Sequence, residues 1–326
     1  MARLRVLEVS GYGVRLGASG GSLTVKEKDG EQRYPLSEVD MVIVATSGVS
    51  VSSRAVRLLA RAGIDLVFLD WRGMPVAMLY SSEPTLTVDT KRAQYKAYFD
   101  GRGQGIAREI VSSKLHNQAV HLERLYLRLR DPLLRVAGEA IRAVEEEVYS
   151  SDVGDAKSLM VLEARAAREY WGALSHVLPR ELGFRGRDHD SDDPVNIVLN
   201  YAYGVLYGFA WRALVLAGLD PYAGFLHVDR SGKPVLVFDY VECWRPVIVD
   251  QVLVQHLLAG WRPDVRDGRL MPSDRSRITG WVKERLDKLC SSGYRRMSCG
   301  EALRGYAARL AKSLREGGEF KCYRGW

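Results

Sequence analysis

The spacing of apolar residues changes once along this chain, and that change limits the folds it can adopt. Before residue 81, short apolar runs such as 41–45 and 66–69 alternate with turns rich in Gly, Ser and Asp, as in β-strands. From residue 91 onward, apolar residues recur at helical spacing over long stretches, as in 106–129. The sequence therefore predicts an α+β protein with an N-terminal β-rich domain followed by a larger all-α domain.

Turn-forming residues without a clear period fill 81–91. We place a β-rich domain at residues 1–84, a linker at 85–91 and the helical domain at 92–326. Ser52 or Ser53 can cap one helix inside the first domain, and Gly63 can end it. Nothing in this domain is typical of a catalytic site, so we expect it to serve dimerisation or docking.

Bulk properties exclude several classes of protein. No run of eighteen apolar residues occurs, and the N-terminus lacks the apolar segment of a secretion signal. We therefore expect a cytoplasmic protein without a membrane span. The four cysteines form no CxxC pair, which predicts reduced thiols rather than a zinc site or a disulfide framework.

The charge balance favours a polyanionic partner. The net charge is +7, and the 47 basic residues comprise 36 Arg and 11 Lys. Arginine binds phosphate through two parallel hydrogen bonds, so the excess is consistent with a nucleic acid. A biased genome composition explains the same excess.

Three ionisable residues in apolar segments predict a site. His227 lies in one apolar run, and Asp239 and Glu242 lie three residues apart in the next. Buried charges are costly unless they are paired or bind a metal. If residues 236–245 begin a helix, the two carboxylates share a face, with His227 across the turn. Imidazole and carboxylates suit Mg²⁺ or Mn²⁺, although a lone buried histidine is more often a hydrogen-bonded core residue.

Glu163 is a fourth candidate, because it lies on the apolar stripe of a helix predicted at 157–178. Either a metal or catalytic role or an ion pair with an arginine from another helix satisfies it. A polar stripe on a second helix, starting at Asp193 and Pro194, predicts either a polar cleft wall or a set of inter-helix hydrogen bonds. That stripe consists of Asn196, Asn200, Tyr203 and Tyr207.

Four blocks of sequence occur in an order that resembles the CRISPR-associated adaptation endonuclease/integrase family. They are LMVLEARAAREYW (159–171), DPVN (193–196), AGLDPYAGFLHVDR (217–230) and FDYVECWRPVIVD (238–250). The last two blocks are specific. The N-terminal segment GIDLVFLD (63–70) and KRAQY (91–95) also fit, so the resemblance covers nearly the whole chain.

The resemblance implies a metal-dependent DNA endonuclease and integrase that inserts prespacer DNA into a CRISPR array, in antiviral defence. It implies Mg²⁺ or Mn²⁺ held by Glu163, His227 and Glu242, with Asp239 as a catalytic helper beside the metal. Tyr207 matches a tyrosine near the bound DNA end. The implied partners are prespacer and repeat DNA, a second copy of this chain, and a small ferredoxin-like companion protein.

We also expect Asn196 and Arg245 to contact DNA. The chain departs from the family at Ala164, often glycine, at Cys243, usually acidic or polar, and at 185–192, usually more basic and proline-rich. None of these departures removes a ligand. Two other functions stay open: a non-catalytic DNA-binding scaffold, and a general metal-dependent nuclease outside CRISPR adaptation.

Overall fold

The computed structural model describes residues 6–70, 73, 75–79, 88–150, 156–228, 231–292 and 295–325. The first part of the chain forms two four-stranded sheets, with strand orders β1-β5-β7-β8 and β4-β3-β2-β6. The strands are β1 (Val6–Val9), β2 (Arg15–Ser19), β3 (Ser22–Glu27), β4 (Gly30–Pro35), β5 (Met41–Val44), β6 (Ser50–Val51), β7 (Asp65–Leu69) and β8 (Pro75–Leu79).

The two central strands of the first sheet, β5 and β7, are buried on both faces. Strands β1, β5 and β7 are parallel and β8 is antiparallel. Because successive side chains of a strand point to opposite faces, Val42 and Val44 enter the small core between the two sheets. Met41 and Ile43 enter the main core with the helices. The sheet thus joins the β-rich part to the helical part.

The second part of the chain is mainly helical, and its central helix is almost entirely buried. None of the described helices is long and apolar enough to cross a membrane. The helices are α1 (Ser53–Arg61) in the β-rich part, then α2 (Val88–Phe99), α3 (Arg102–Leu129), α4 (Pro132–Ser150), α5 (Ala156–Val177), the central α6 (Pro194–Leu216), α7 (Val235–Val241), α8 (Gln251–Leu258), α9 (Pro272–Asp287) and α10 (Cys299–Glu316).

The central helix meets the β-rich part through two glycines. Gly204 of α6 packs against Gly73, which has a φ of +83°. A Cβ atom on Gly204 would lie 1.4 Å from the Gly73 carbonyl oxygen, and one on Gly73 would lie 2.5 Å from the Tyr201 Cα. Both backbones therefore need glycine for this close approach.

The predicted α+β class is confirmed, with local differences. Two of the apolar runs named above, 41–45 and 66–69, form β5 and β7. The helical part is not all-α, because it contains two short hairpins. The first pairs β9 (Val265–Arg266) with β10 (Arg269–Leu270), and the second pairs β11 (Leu289–Ser292) with β12 (Arg295–Ser298). The strands of the first hairpin have two residues each, which is too short for periodicity to detect, and those of the second have four.

The division into domains stays a prediction, as does the dimerising role of residues 1–84. Part of the predicted linker lies outside the described residues. Helix α2 begins at Val88, so residues 88–91 already form a helical turn. Ser52 caps α1 by accepting a hydrogen bond from the Ala55 amide.

The prediction of reduced cysteines is wrong for this structure. Cys243 pairs with Cys322, and Cys290 pairs with Cys299. The first pair is 79 residues apart in sequence. The segment after α10 packs against α3 and so brings these two cysteines together. Spacing along the sequence does not reveal this contact.

Gly204→Ala should destabilise the protein, because its methyl group would meet a backbone oxygen that cannot turn away. We expect a loss of about 1–3 kcal/mol or more in the free energy of unfolding, measured by urea denaturation. Gly172→Ala is the matched control, since a Cβ on that exposed α5 glycine meets nothing within 4 Å. Equal midpoints for the two variants would contradict this account of the contact.

Candidate functional site

The candidate site forms where α3, α5 and α7 meet. Glu163 lies on the inward stripe of α5, as predicted, and its side chain is 21% exposed. Glu242 immediately follows α7, and its side chain is 4% exposed. The apolar residues of the α5 stripe anchor this face of the helix; they are Leu159, Ala166, Tyr170 and Leu174.

The two glutamates share one cation, which the sequence analysis missed. The Lys114 Nζ atom of α3 contacts Glu163 Oε1 and lies 2.6 Å from Glu242 Oε2. Burial alone would lower the pKa of Lys114, but the charges of Glu163 and Glu242 outweigh burial and raise it. The alternative of an ion pair with another helix is therefore present here, with a lysine in place of the expected arginine.

Arg245 is the second cation of the site. Its guanidinium contacts the Glu242 carboxylate and the Tyr207 hydroxyl, and it lies 4.8 Å from the centre of the Tyr203 ring. Burial would raise the pKa of Glu242, but Arg245 and then Lys114 outweigh burial and lower it. Glu242 is therefore an ionised, buried carboxylate between two cations.

Asp239 orients His227. Its Oδ1 atom lies 2.6 Å from His227 Nδ1 and accepts the His227 amide at 3.1 Å. Its Oδ2 atom accepts the amides of Phe225 and Leu226 at 2.6 and 2.9 Å. The hydrogen bond that His227 makes to the Asp239 carboxylate raises the pKa of His227, although burial alone would lower it. Because Nδ1 is engaged, Nε2 is the imidazole atom that remains for a ligand.

A buried polar network positions the tyrosine ring that contacts the Arg245 guanidinium. Asp250 accepts hydrogen bonds from the hydroxyls of Tyr203 at 2.6 Å and Tyr170 at 2.9 Å. The His121 Nδ1 atom lies 2.7 Å from the Tyr170 hydroxyl. Burial lowers the pKa of His121 to about 3, so its ring is neutral. Asp250 thus fixes Tyr203, on which the Arg245 guanidinium rests.

The polar stripe of α6 combines both predicted alternatives. All four side chains are hydrogen-bonded, but Asn200, Tyr203 and Tyr207 also line a cavity of about 500 Å³, the size of a small-ligand site. His227, Glu242 and Arg245 line the same cavity. Of the predicted site residues, Tyr207, His227, Glu242 and Arg245 therefore line one cavity, whereas Glu163, Asp239 and Asn196 do not line it.

Asn196 holds a loop. Its side chain binds the Gly186 carbonyl at 2.9 Å and accepts hydrogen bonds from Arg187 at 2.8 Å and from the Asp188 amide at 3.0 Å. Asn200 accepts a further bond from Arg187 at 2.5 Å. The two asparagines thereby present Arg187 to the cavity, while Asn196 itself is buried.

The candidate ligands are of the chemical types that bind a hard divalent cation, but their positions in this structure do not form a coordination site. Carboxylate oxygens and an imidazole nitrogen are ligands of Mg²⁺ and Mn²⁺. Within the described part of the chain, no group of three or more His, Cys, Asp and Glu side chains is arranged to hold a metal ion. The two glutamates converge on Lys114 instead.

Comparison with known proteins assigns the chain to a family. The sequence model of CRISPR associated protein Cas1 matches residues 7–263. A CRISPR-associated endonuclease Cas1 of Pyrobaculum aerophilum is 39% identical over 281 residues, covering 86% of this chain and 90% of that protein. One of Saccharolobus solfataricus is 35% identical over 326 residues, covering 99% of each. The chain belongs to the Cas1 family.

Solved structures share the fold. A CAS1 protein from Thermotoga maritima superimposes with a TM-score of 0.82 at 18% identity, covering 98% of this chain and 100% of that one. A casposase bound to its integration product gives a TM-score of 0.84 at 22% identity, covering 98% of this chain and 93% of that one. The predicted family resemblance and fold class are confirmed.

Tyr203→Phe should destabilise the protein, because it removes one of the donors to buried Asp250. We expect a loss of about 1–3 kcal/mol in the free energy of unfolding, measured by urea denaturation. Tyr12→Phe is the control, since Tyr12 is 81% exposed. If both variants unfold at the same urea concentration, the Tyr203 hydroxyl does not stabilise Asp250 as the geometry indicates.

Proposed function

We propose that this protein is a metal-dependent DNA endonuclease and integrase of CRISPR adaptation. The observation that carries the proposal is that Glu163 and Glu242 meet at one cation, beside a cavity that Glu242, the oriented His227 and several cations line. Arg187, Lys233 and Arg245 line that cavity. Acidic ligands beside phosphate-binding cations are what phosphodiester chemistry requires.

Glu163, Glu242 and His227 Nε2 would hold Mg²⁺ or Mn²⁺. When bound, such an ion supplies Lewis acidity at a phosphate oxygen and stabilises charge that develops there. Asp239 acts through His227, since its hydrogen bond to Nδ1 fixes the ring and leaves Nε2 facing the site. Asp239 is thus a positioning residue in this account.

DNA would be held by the cations and aromatic side chains of the cavity wall. Arg245 and Arg187 offer guanidinium groups to phosphates, and Tyr207 offers a ring and a hydroxyl to a terminal nucleotide. Asn196 would act on DNA through the loop that it holds, rather than by reaching the cavity. The chain's net charge of +7 favours this salt-dependent binding.

In the joining reaction, the 3′-hydroxyl oxygen of a prespacer forms a bond to a repeat phosphorus. The bond from that phosphorus to the repeat's own 3′ oxygen breaks, and the proton lost by the attacking hydroxyl is balanced by one gained by the leaving oxygen. With water as the nucleophile, the same site cleaves DNA. Arg245 and Lys114 provide positive charge beside the reacting phosphate.

Relatives and structural neighbours support this assignment. The similar curated proteins are named CRISPR-associated endonucleases, and the casposase structure is described as bound to an integration product. A Cas6-RT-Cas1–Cas2 complex superimposes with a TM-score of 0.81 at 20% identity, covering 99% of this chain and 36% of that one. We propose the same kinds of partner here: prespacer and repeat DNA, a small ferredoxin-like Cas2-type companion, and a second copy of this chain.

Two other functions are the alternatives to this proposal. A non-catalytic DNA scaffold gains nothing from ionised carboxylates beside phosphates, because these repel DNA. A general nuclease outside CRISPR adaptation has the same site chemistry, so the products of the reaction must distinguish it.

Glu163→Gln should abolish joining of a prespacer to a repeat duplex, with a loss of at least about 100-fold in rate. Measured without divalent metal, its affinity for DNA should stay within about threefold of wild type, because phosphate binding depends on the cations. Gel-based joining and fluorescence anisotropy measure the two quantities. Glu169→Gln is the control, an exposed carboxylate on the same helix. Joining by Glu163→Gln at the wild-type rate would contradict the ligand assignment.

A prespacer that ends in a 2′,3′-dideoxynucleotide separates integration from hydrolysis. It lacks the attacking hydroxyl, so joined product should disappear while metal-dependent nicking by water persists. Sequencing gels resolve the two products. Nicking alone with a normal 3′-hydroxyl end, at every repeat substrate tested, would favour a general nuclease.

A further inference from the structure

Lys114 occupies the point at which the two acidic candidate ligands meet. Its Nζ atom contacts Glu163 Oε1 and Glu242 Oε2, and its side chain is only 11% exposed. A divalent cation bound by both carboxylates would need the same position. The ammonium group of Lys114 and the metal ion therefore compete for one place.

Hydrogen bonds to neighbouring segments hold α3 in place, so a displacement of Lys114 involves its side chain alone. Asn117 lies one turn further on α3 and donates hydrogen bonds to the carbonyls of Cys243 at 2.7 Å and Tyr323 at 3.0 Å. Gly325 donates its amide to Asn117 at 2.7 Å. Lysine has a flexible four-carbon stem and a single charged atom, whereas arginine would be a rigid planar group. Lys114 can thus leave the carboxylates without any movement of α3.

The charges of the site indicate what would displace the Lys114 ammonium from the two carboxylates. Glu163 and Glu242 contribute −2, and the cations that contact them, Lys114 and Arg245, contribute +2, so this group is neutral. A divalent ion added to it alone would create an excess of +2 in a buried place, which is unfavourable. A DNA phosphate in the adjoining cavity would supply negative charge and a new partner for the displaced ammonium.

We propose that Lys114 is an internal counterion that occupies the cation position in the DNA-free protein and turns to a DNA phosphate when DNA binds. The proposal rests on the proposed function, because it takes Glu163 and Glu242 as metal ligands. Metal and DNA then bind cooperatively, and each raises the affinity for the other by the same factor. Such coupling confines the reactive state to the DNA complex.

Mn²⁺ binding without DNA tests the competition directly. Electron paramagnetic resonance of free Mn²⁺ gives the affinity for wild type, Lys114→Met and Lys233→Met. Lys114→Met should bind Mn²⁺ at least about tenfold more tightly than wild type, because the competing ammonium is gone. Lys233→Met removes the same charge from an exposed position on the cavity wall and should change the affinity less than about threefold.

A second measurement uses wild type alone and does not depend on the folding of a variant. The Mn²⁺ affinity is measured with and without a short duplex, and the Mn²⁺ bound by the duplex alone is subtracted. We expect a gain of about 5- to 150-fold with DNA. An unchanged affinity in this experiment, or a Lys114→Met protein that binds Mn²⁺ no better than wild type, would overturn the proposal.

The joining assay separates the two levels of the account. If wild type joins DNA while these affinities do not change, the role of Lys114 is wrong and the proposed function stands. If wild type neither joins DNA nor binds Mn²⁺ with DNA present, both are wrong.

Discussion

The buried contact of Lys114 with Glu163 and Glu242 is the interaction on which this site depends. Charges with this little exposure are stable only when each has a partner. The contact joins α3, α5 and the turn after α7, and so fixes where the acidic residues stand relative to each other. Arg245 and Lys114 lower the pKa of buried Glu242 and keep that carboxylate ionised.

The rest of the fold holds that contact in place. Helix α6 packs at Gly204 against Gly73, between β7 and β8, and lines the cavity with Asn200, Tyr203 and Tyr207. Asp250 fixes the tyrosines beneath Arg245, and Asp239 binds the turn that carries His227. The segment after α10 packs against α3 through Asn117, one turn from Lys114. The candidate site thus depends on elements from both parts of the chain.

Local patterns in the sequence singled out the acidic residues of the candidate site, whose roles stay a prediction. Glu163 interrupts an apolar stripe, and His227 and Asp239 interrupt apolar runs, so burial and charge conflict visibly in the sequence. Burial and charge also conflict at Lys114 of α3 and at Asp250, which ends the helical segment Arg245–Asp250. These two segments are buried on most sides, so they show no single apolar stripe against which a charge stands out. The pairing of Cys243 with Cys322 depends on tertiary packing, which spacing along the chain does not encode.

Crystals grown with a short DNA duplex and Mn²⁺ test the central claim most directly, through the anomalous scattering of manganese. The account predicts one strong peak bounded by the carboxylates of Glu163 and Glu242 and by His227 Nε2, with the Lys114 ammonium turned toward a DNA phosphate. A structure with DNA in the cavity, no peak at that place and Lys114 still between the two glutamates would contradict it.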